Sequence, residues 1–155
     1  MRYIDSQILQ LLIDQWDVQH FTGRELLWLP RRSTHAELPI TLAANIKGAL
    51  ELTQLIRNRW REVVDDPRIN INSGYRPLDY NRLVGSDDDS MHVKFMAIDS
   101  SPYNGDYKLY HKIVKEVVEG ERRRGEIIGL GFYDTFCHVD KGHYTYNRNW
   151  DERTR

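Results

Sequence analysis

The sequence predicts an α+β fold in which N-terminal helices pack on a small central antiparallel sheet. Two observations support this class: apolar residues recur at helical spacing early in the chain, and short segments of alternating polarity come later. Helices followed by a small sheet is the order expected of an α+β protein. A chain of 155 residues can bury a core without disulfides or structural metals, so we expect residues 1–155 to form one domain.

Two helices are predicted before the first strand of the sheet. The first has apolar residues at helical spacing near the N terminus: Ile8, Leu11, Leu12 and Trp16. A polar stretch that contains Pro30 and Pro39 follows, and it predicts a loop-rich connection. The second helix, at residues 42–62, is amphipathic, with apolar positions at Ile46, Ala49, Leu50, Leu52, Ile56 and Trp60.

The later part of the chain predicts strands on either side of one more helix. Residues 68–72 alternate polar and apolar side chains, and a second strand is expected at about 96–100. The helix after it is expected to end at Gly120. Its apolar face consists of Leu109, Ile113, Val114, Val117 and Val118. Segments 126–133 and 136–140 are close enough in sequence to form an antiparallel pair.

The charge balance excludes partners that bind through a strong overall field. The chain has 22 Lys plus Arg against 23 Asp plus Glu, so we expect neither nucleic acid nor a membrane as a partner. The one basic run, residues 122–124, is flanked by glutamates and is interpreted as a solvated turn. No apolar segment reaches membrane-spanning length. We expect a monomer whose ligands are recognised at a local site.

Cys137 is the only cysteine, so no disulfide can form within the chain. Its apolar surroundings favour a small buried side chain, although the adjacent histidine leaves a nucleophilic thiol as an alternative. Polar residues interrupt the apolar positions at the N terminus, which therefore lacks the apolar core of a signal peptide. We expect synthesis in the cytoplasm without a signal peptide.

Two of the six histidines, His92 and His138, each stand beside a predicted strand and near an acidic residue. Zinc in a catalytic site takes three protein ligands from His, Cys, Asp and Glu. A loop that enters a strand could bring His92 and Asp99 to one metal, whereas a straight strand would separate them by roughly 23 Å. His138 and Asp140 share one face of their strand. Each fragment alone is more typical of an ordinary hydrogen-bonded His–Asp pair than of a metal site.

Four ordered motifs together are more specific than any one fragment. They are Ser73-Gly74-Tyr75-Arg76-Pro77 with Asn81 and Val84-Gly85; Ser90-x-His92; Ala97-x-Asp99; and Gly129-Leu130-Gly131-Phe132-Tyr133 with Phe136-x-His138-Val139-Asp140. From about residue 21 to 150 the chain resembles the zinc D-Ala-D-Ala carboxypeptidase family of peptidoglycan metallopeptidases. The resemblance implies an α+β fold shared with the Hedgehog signalling domain, whose sheet carries zinc. It also implies a ligand set of His92, Asp99 and His138.

Two segments depart from the family pattern. Phe95 occupies a position that is usually glycine, and a bulky residue resists positive φ, so we expect a rebuilt loop or a narrowed cleft. Thr135 and Phe136 stand where many members have an acidic residue or a second histidine. The general base is therefore open. Asp140 is the first candidate and Asp134 the second, with orientation of His138 as the alternative role of Asp140.

The same resemblance suggests residues that bind substrate. Arg76 could pair with a carboxylate of the stem peptide, and Tyr75 belongs to the same segment. Ser90 could hydrogen-bond substrate or cap a local turn. His143 lies in a Tyr-rich C-terminal segment that could line the cleft.

The function implied is zinc-dependent hydrolysis of an amide bond in peptidoglycan stem peptides or cross-links. The enzyme would be a D,D-carboxypeptidase or an endopeptidase that acts on the bacterial cell wall, and a phage lysis or virion protein is one expected role. The alternative is a catalytically inactive, zinc-stabilised module that binds the cell wall or has a structural role.

Overall fold

The computed structural model describes residues 2–142 and 145–154, and His143 lies outside them. In chain order the elements are β1 (Tyr3–Ile4), α1 (Ser6–Ile13), α2 (Gly23–Leu27), β2 (Trp28–Leu29), β3 (Thr34–His35), β4 (Leu38–Pro39), a 3-10 helix (Ile40–Ile46), α3 (Lys47–Arg61), β5 (Ile69–Ser73), α4 (Leu78–Leu83), β6 (Ala97–Pro102), α5 (Tyr107–Arg123), β7 (Gly129–Phe132), β8 (Cys137–Asp140) and β9 (Arg148–Asp151). None of the described helices is long and apolar enough to cross a membrane.

The amphipathic pattern of residues 42–62 correctly predicts the main core helix. All six of its predicted apolar positions are buried, and Trp60 packs edge-on against Tyr110 of α5, with ring centroids 5.3 Å apart. The first turns of the predicted helix belong to the 3-10 segment, and the α-helix begins at Lys47. Burying one such apolar stripe contributes more to the stability of a helix than the propensities of its residues do.

The N-terminal helix forms where its spacing predicts, but only Leu12 and Trp16 of the four predicted apolar positions pack against the core. Asp5 caps α1 by accepting hydrogen bonds from the backbone N–H groups of Gln7 and Ile8. Leu9 and Ile13 are buried, while Ile8 and Leu11 are exposed.

The expected end of α5 at Gly120 is wrong, because the helix continues to Arg123. One internal glycine costs only about 1 kcal/mol relative to alanine, and the apolar face before it is buried.

Arg122 also does not lie in a solvated turn. Its guanidinium donates hydrogen bonds to the carbonyl oxygens of Ile128 and Arg148, and so joins the end of α5 to the sheet.

The central sheet has the strand order β5-β6-β8-β7-β9. All neighbouring pairs are antiparallel except β7 and β9, which are parallel. The α+β class and the antiparallel centre of the sheet are therefore confirmed, and β9 is an additional edge strand that the sequence pattern did not predict.

The register aligns residues from four strands into two rows on one face of the sheet. One row is Asp99, His138, Gly131 and Trp150; the next is Ala97, Asp140, Gly129 and Arg148. Helices α3 and α5 pack together against β6. Because side chains alternate between faces along a strand, buried residues such as Ile98 and Val139 point away from these rows.

Candidate metal centre

Three ligand-type side chains meet on the sheet face that carries the two rows. His92, Asp99 and His138 are all buried, and each offers one ligand atom within 4.8 Å of the others. The Oδ1 atom of Asp99 lies 3.1 Å from Nε2 of His92 and 2.8 Å from Nδ1 of His138. Within the described residues this is the only such group of three or more His, Cys, Asp or Glu side chains.

The His92 ring is held so that one nitrogen is left without a hydrogen bond. Nδ1 donates to the carbonyl oxygen of Gly74 at 2.7 Å. Burial lowers the pKa of His92 although Asp99 opposes this, so the ring is neutral and Nε2 carries a lone pair. Nε2 is buried and has no hydrogen-bond partner. Its contact with the Asp99 carboxylate therefore brings two acceptors together, an arrangement that a cation between them would satisfy.

The guanidinium of Arg76 holds Asp99 on the side away from the two histidines. Nη2 of Arg76 donates to Oδ2 of Asp99 at 3.3 Å, and Nε of Arg76 donates to Ser73 at 2.8 Å. Burial opposes ionisation of Asp99, but the hydrogen bond from His138 helps to hold the pKa of the carboxyl far below its usual range. Asp99 is therefore an anion whose inner oxygen faces both rings.

His138 lies between two carboxylates. Nδ1 contacts Oδ1 of Asp99 and Nε2 contacts Oδ2 of Asp140, each at 2.8 Å. Asp140 is 1% exposed. Burial raises its pKa, but His138 and Arg148 outweigh this and hold the pKa below its usual value. Asp140 thus orients the His138 ring through the nitrogen that points away from Asp99.

The three side chains suit zinc in type and in spacing. Two imidazole nitrogens and one carboxylate oxygen form a known catalytic donor set, and ligand atoms about 2.0–2.2 Å from a tetrahedral zinc lie roughly 3.3 Å apart. The contacts of Asp99 with the two rings are close to that separation. The unpartnered Nε2 of His92 is the feature that most directly fits a metal.

A cleft of about 560 Å³ opens over this cluster. Of the substrate-binding residues expected from the sequence, Arg76 and Ser90 line the cleft. The Ser90 hydroxyl also accepts a hydrogen bond from the backbone N–H of His92 at 3.2 Å, as a turn cap would. Tyr75 is instead buried in the core, and it is not among the residues that line the cleft.

The two candidate bases lie in different surroundings. Asp140 lines the cleft, and both of its oxygens contact Arg148. Asp134 is exposed, and its two oxygens accept hydrogen bonds from the backbone N–H and the hydroxyl of Thr154, each at 2.7 Å. Asp134 is not among the residues that line the cleft. The structure therefore brings only Asp140 of the pair to the metal cluster.

Phe95 does not narrow the cleft. Its backbone has φ +56°, the left-handed conformation that glycine adopts readily. The side chain is completely buried and packs edge-on against Tyr75, with ring centroids 5.9 Å apart. The expectation of a narrowed cleft is wrong because the ring points into the core, where its burial offsets the strain of the left-handed backbone.

Arg148 and Trp150 are cleft residues that the sequence motifs do not predict. The Trp150 ring lies 5.0 Å from the ring of His138. Both residues come from β9, which is too short and too polar to be predicted as a strand. Their spacing of two residues, together with the Gly-x-Gly of β7, is the signal that could have identified them.

Cys137 takes no part in the centre. It is buried, and burial raises the pKa of its thiol far above the usual value. As the neighbour of His138 on one strand, it points to the opposite face of the sheet. The alternative of a nucleophilic thiol is therefore not supported.

Zinc affinity is expected to fall as the pH falls. In the metal-free protein, burial opposes protonation of His138, but hydrogen bonds to Asp140 and Asp99 raise its pKa to about 9. Zinc must therefore displace a proton from this ring at neutral pH, so its affinity should rise by about tenfold per pH unit up to that pKa. Competition titrations between about pH 6 and 9 test this, and an affinity that does not change over this range would contradict it.

Comparison with known proteins places the chain in a family. A family model described as Peptidase M15 matches residues 20–140, which is more than half of the 155-residue chain. All three residues of the metal cluster lie inside the matched range. A search of the curated proteins and a search of the solved structures each found no significant match.

Proposed function

Because the chain belongs to the peptidase M15 family, we propose that it is a zinc peptidase that hydrolyses an amide bond in peptidoglycan stem peptides or cross-links. The family makes metallopeptidase the general class of activity. The observation that carries the proposal is the buried, unpartnered Nε2 of His92, which faces the Asp99 carboxylate in a cleft of about 560 Å³.

We assign the metal to His92, Asp99 and His138. When bound, zinc supplies Lewis acidity, which polarises a scissile carbonyl and makes water a better nucleophile near neutral pH. The protein holds the ligands in place for this chemistry. Gly74 fixes the His92 ring through Nδ1, and Arg76 holds the outer oxygen of Asp99. These contacts lower the cost of organising the site when metal binds.

The walls of the cleft support a peptide substrate. Tyr133 and Phe136 stack in parallel with ring centroids 4.4 Å apart, and Trp150 donates a hydrogen bond from Nε1 to the Tyr133 hydroxyl at 2.9 Å. This aromatic wall would pack against the peptide and exclude water from the scissile bond. The Arg76 side chain is 17% exposed, so it can also attract a carboxylate of the stem peptide.

The contacts of Asp140 support a positioning role over direct proton transfer. One oxygen already serves His138, and both contact Arg148. A general base needs an oxygen within hydrogen-bond reach of the attacking water. Asp87 and Asp89 also line the cleft and are exposed, which makes them further candidates to accept the proton.

The contacts of Asp140 and Asp134 favour one alternative function. A zinc-stabilised module that binds the cell wall without turnover would keep the metal cluster and need no base. Both carboxylates expected to move the proton, Asp140 and Asp134, have their oxygens engaged by other residues. Action on the bacterial cell wall is common to both proposals, and a role in phage lysis or in a virion stays a prediction.

A peptidoglycan digest separates the two functions. Protein with one verified zinc per chain is incubated with purified peptidoglycan of several cross-link chemistries, and new amine ends are counted and assigned by mass spectrometry. Loss of a terminal residue indicates a carboxypeptidase, and opened cross-links indicate an endopeptidase. No new amine ends on any substrate would contradict the enzyme, and co-sedimentation with insoluble peptidoglycan would then support the module.

A further inference from the structure

Arg148 reaches the metal cluster from the edge of the sheet. Its Nη2 atom lies 2.6 Å from Oδ1 and 2.7 Å from Oδ2 of Asp140. Oδ2 of Asp140 in turn lies 2.8 Å from Nε2 of His138. A continuous chain of charged hydrogen bonds therefore runs from β9, across the sheet, to one of the three metal-ligand candidates.

Gly129 leaves the space that this contact needs. It stands between Asp140 and Arg148 in one row of the sheet. A Cβ atom there would lie 2.4 Å from Oδ2 of Asp140 and 2.7 Å from Nη2 of Arg148. Both distances are shorter than real Cβ contacts, so any other residue would displace one partner.

Gly131 likewise leaves space for a side chain from β9, that of Trp150, in the neighbouring row. A Cβ atom at this position would lie 2.3 Å from the ring of Trp150, which packs beside His138. The two glycines thus form a strip without side chains on one face of β7. Two side chains from β9 fold over this strip towards the metal cluster.

We propose that Arg148 is a positioning residue of the metal centre, which acts on His138 through Asp140. It holds the buried carboxylate so that Asp140 accepts a hydrogen from Nε2 of His138, and Nδ1 is left facing Asp99 and the metal. The inference rests on the proposed function only for the identity of the metal ligands.

The charges explain why an arginine is needed there. Asp140 is 1% exposed, and an ionised carboxylate at that depth needs a charged partner to offset its lost hydration. Without Arg148, the Asp140 carboxylate would be free to rotate, and the His138 ring would lose the contact that orients it. Loss of such supporting contacts around a metal ligand lowers metal affinity by about 10–100-fold.

Zinc affinity, measured by competition with a chelating dye, tests the proposal without any substrate. Arg148→Gln is expected to lower zinc affinity by at least about tenfold. Arg148→Lys should recover part of the loss, because one nitrogen atom, Nη2, makes both contacts to Asp140. The visible spectrum of the Co²⁺-loaded protein should also change in Arg148→Gln. A merely structural role would lower the melting temperature but leave the affinity and the spectrum of the folded protein unchanged.

Arg153→Gln is a matched control. Arg153 makes an equally short contact, 2.6 Å, with Asp151 at an exposed site, and its loss should leave zinc affinity within about twofold, as surface ion pairs contribute little.

Gly129→Ala keeps the proposal testable if Arg148→Gln does not fold. The added methyl group should separate Arg148 from Asp140 and lower zinc affinity similarly. Gly120→Ala is its control, since a Cβ there meets only the end of Arg123, at 3.8 Å. Wild-type zinc affinity in folded Arg148→Gln, or in folded Gly129→Ala, would overturn the proposal. A failed peptidoglycan digest would overturn the proposed function alone.

Discussion

Replacing His92 by alanine is expected to abolish stoichiometric zinc binding and to lower hydrolysis by about 1000-fold or more. His92 is one of only three candidate ligands in the cluster, and its unpartnered Nε2 has no substitute among the described residues around it. A metal that polarises the carbonyl contributes several kcal/mol to catalysis, and each 1.36 kcal/mol corresponds to about tenfold in rate.

Metal analysis and thermal unfolding measure the first part of this result. Zinc bound to the folded state stabilises it, so a chelator should lower the melting temperature of the wild-type protein and leave His92→Ala unchanged. His111→Ala is the matched control. His111 is also buried, and its ring contacts the carbonyl oxygens of Tyr107 and Tyr133. That variant should lose stability but keep one zinc per chain. Full zinc occupancy in His92→Ala would contradict the assigned site.

Replacing Phe95 by alanine is expected to destabilise the protein by about 3–5 kcal/mol, the usual cost of removing a buried phenylalanine ring. Phe95→Gly should be less harmful by about 1 kcal/mol, although it removes one more carbon atom. The reason is the φ of +56°, since alanine in a left-handed conformation is strained and glycine is not. Urea unfolding with a chelator present would measure both variants without a contribution from zinc.

Phe21 provides the comparison at an ordinary backbone position. It is 3% exposed, and it is not among the residues with positive φ. Here the order should reverse, with Phe21→Gly less stable than Phe21→Ala, because glycine loses more conformational freedom on folding. Equal or reversed stability of the two Phe95 variants would show that the left-handed backbone carries no strain.

Phe95 shows what a sequence motif can predict about a position and what it cannot. The family pattern marked this position as one that usually needs glycine, and the structure keeps the backbone conformation that a glycine would adopt. A motif can therefore indicate the conformation of the chain at a position. It could not indicate that the phenylalanine ring would point into the core, because that depends on the space beside Tyr75.

Only part of the candidate site could be predicted from the sequence. The ordered motifs identified His92, Asp99 and His138, and the structure brings these three together. The segment that contains Tyr75 and Arg76 was predicted as one substrate-binding unit. The structure separates the two side chains, since Tyr75 is in the core and Arg76 contacts Asp99.

Features that depend on local periodicity could be predicted from the amino-acid sequence. The 3.6-residue spacing of apolar residues predicted α3 and its buried face, and short segments at about 96–100 and 136–140 were predicted as the strands that carry Asp99 and His138. The sequence also supplied, through motif order, the three residues of the metal cluster. These predictions succeed because a helix or strand buries a face that its own neighbouring residues define.

The surroundings of the metal cluster depend on contacts between segments that are distant in sequence. The parallel pairing of β9 with β7 places Arg148 over Gly129, and this contact assigns Asp140 a neighbour that no local pattern reveals. The free nitrogen of His92 likewise follows from its contact with Gly74, 18 positions away. Hydrogen-bond geometry between distant segments is set by packing, and packing is not encoded in the periodicity of either segment alone.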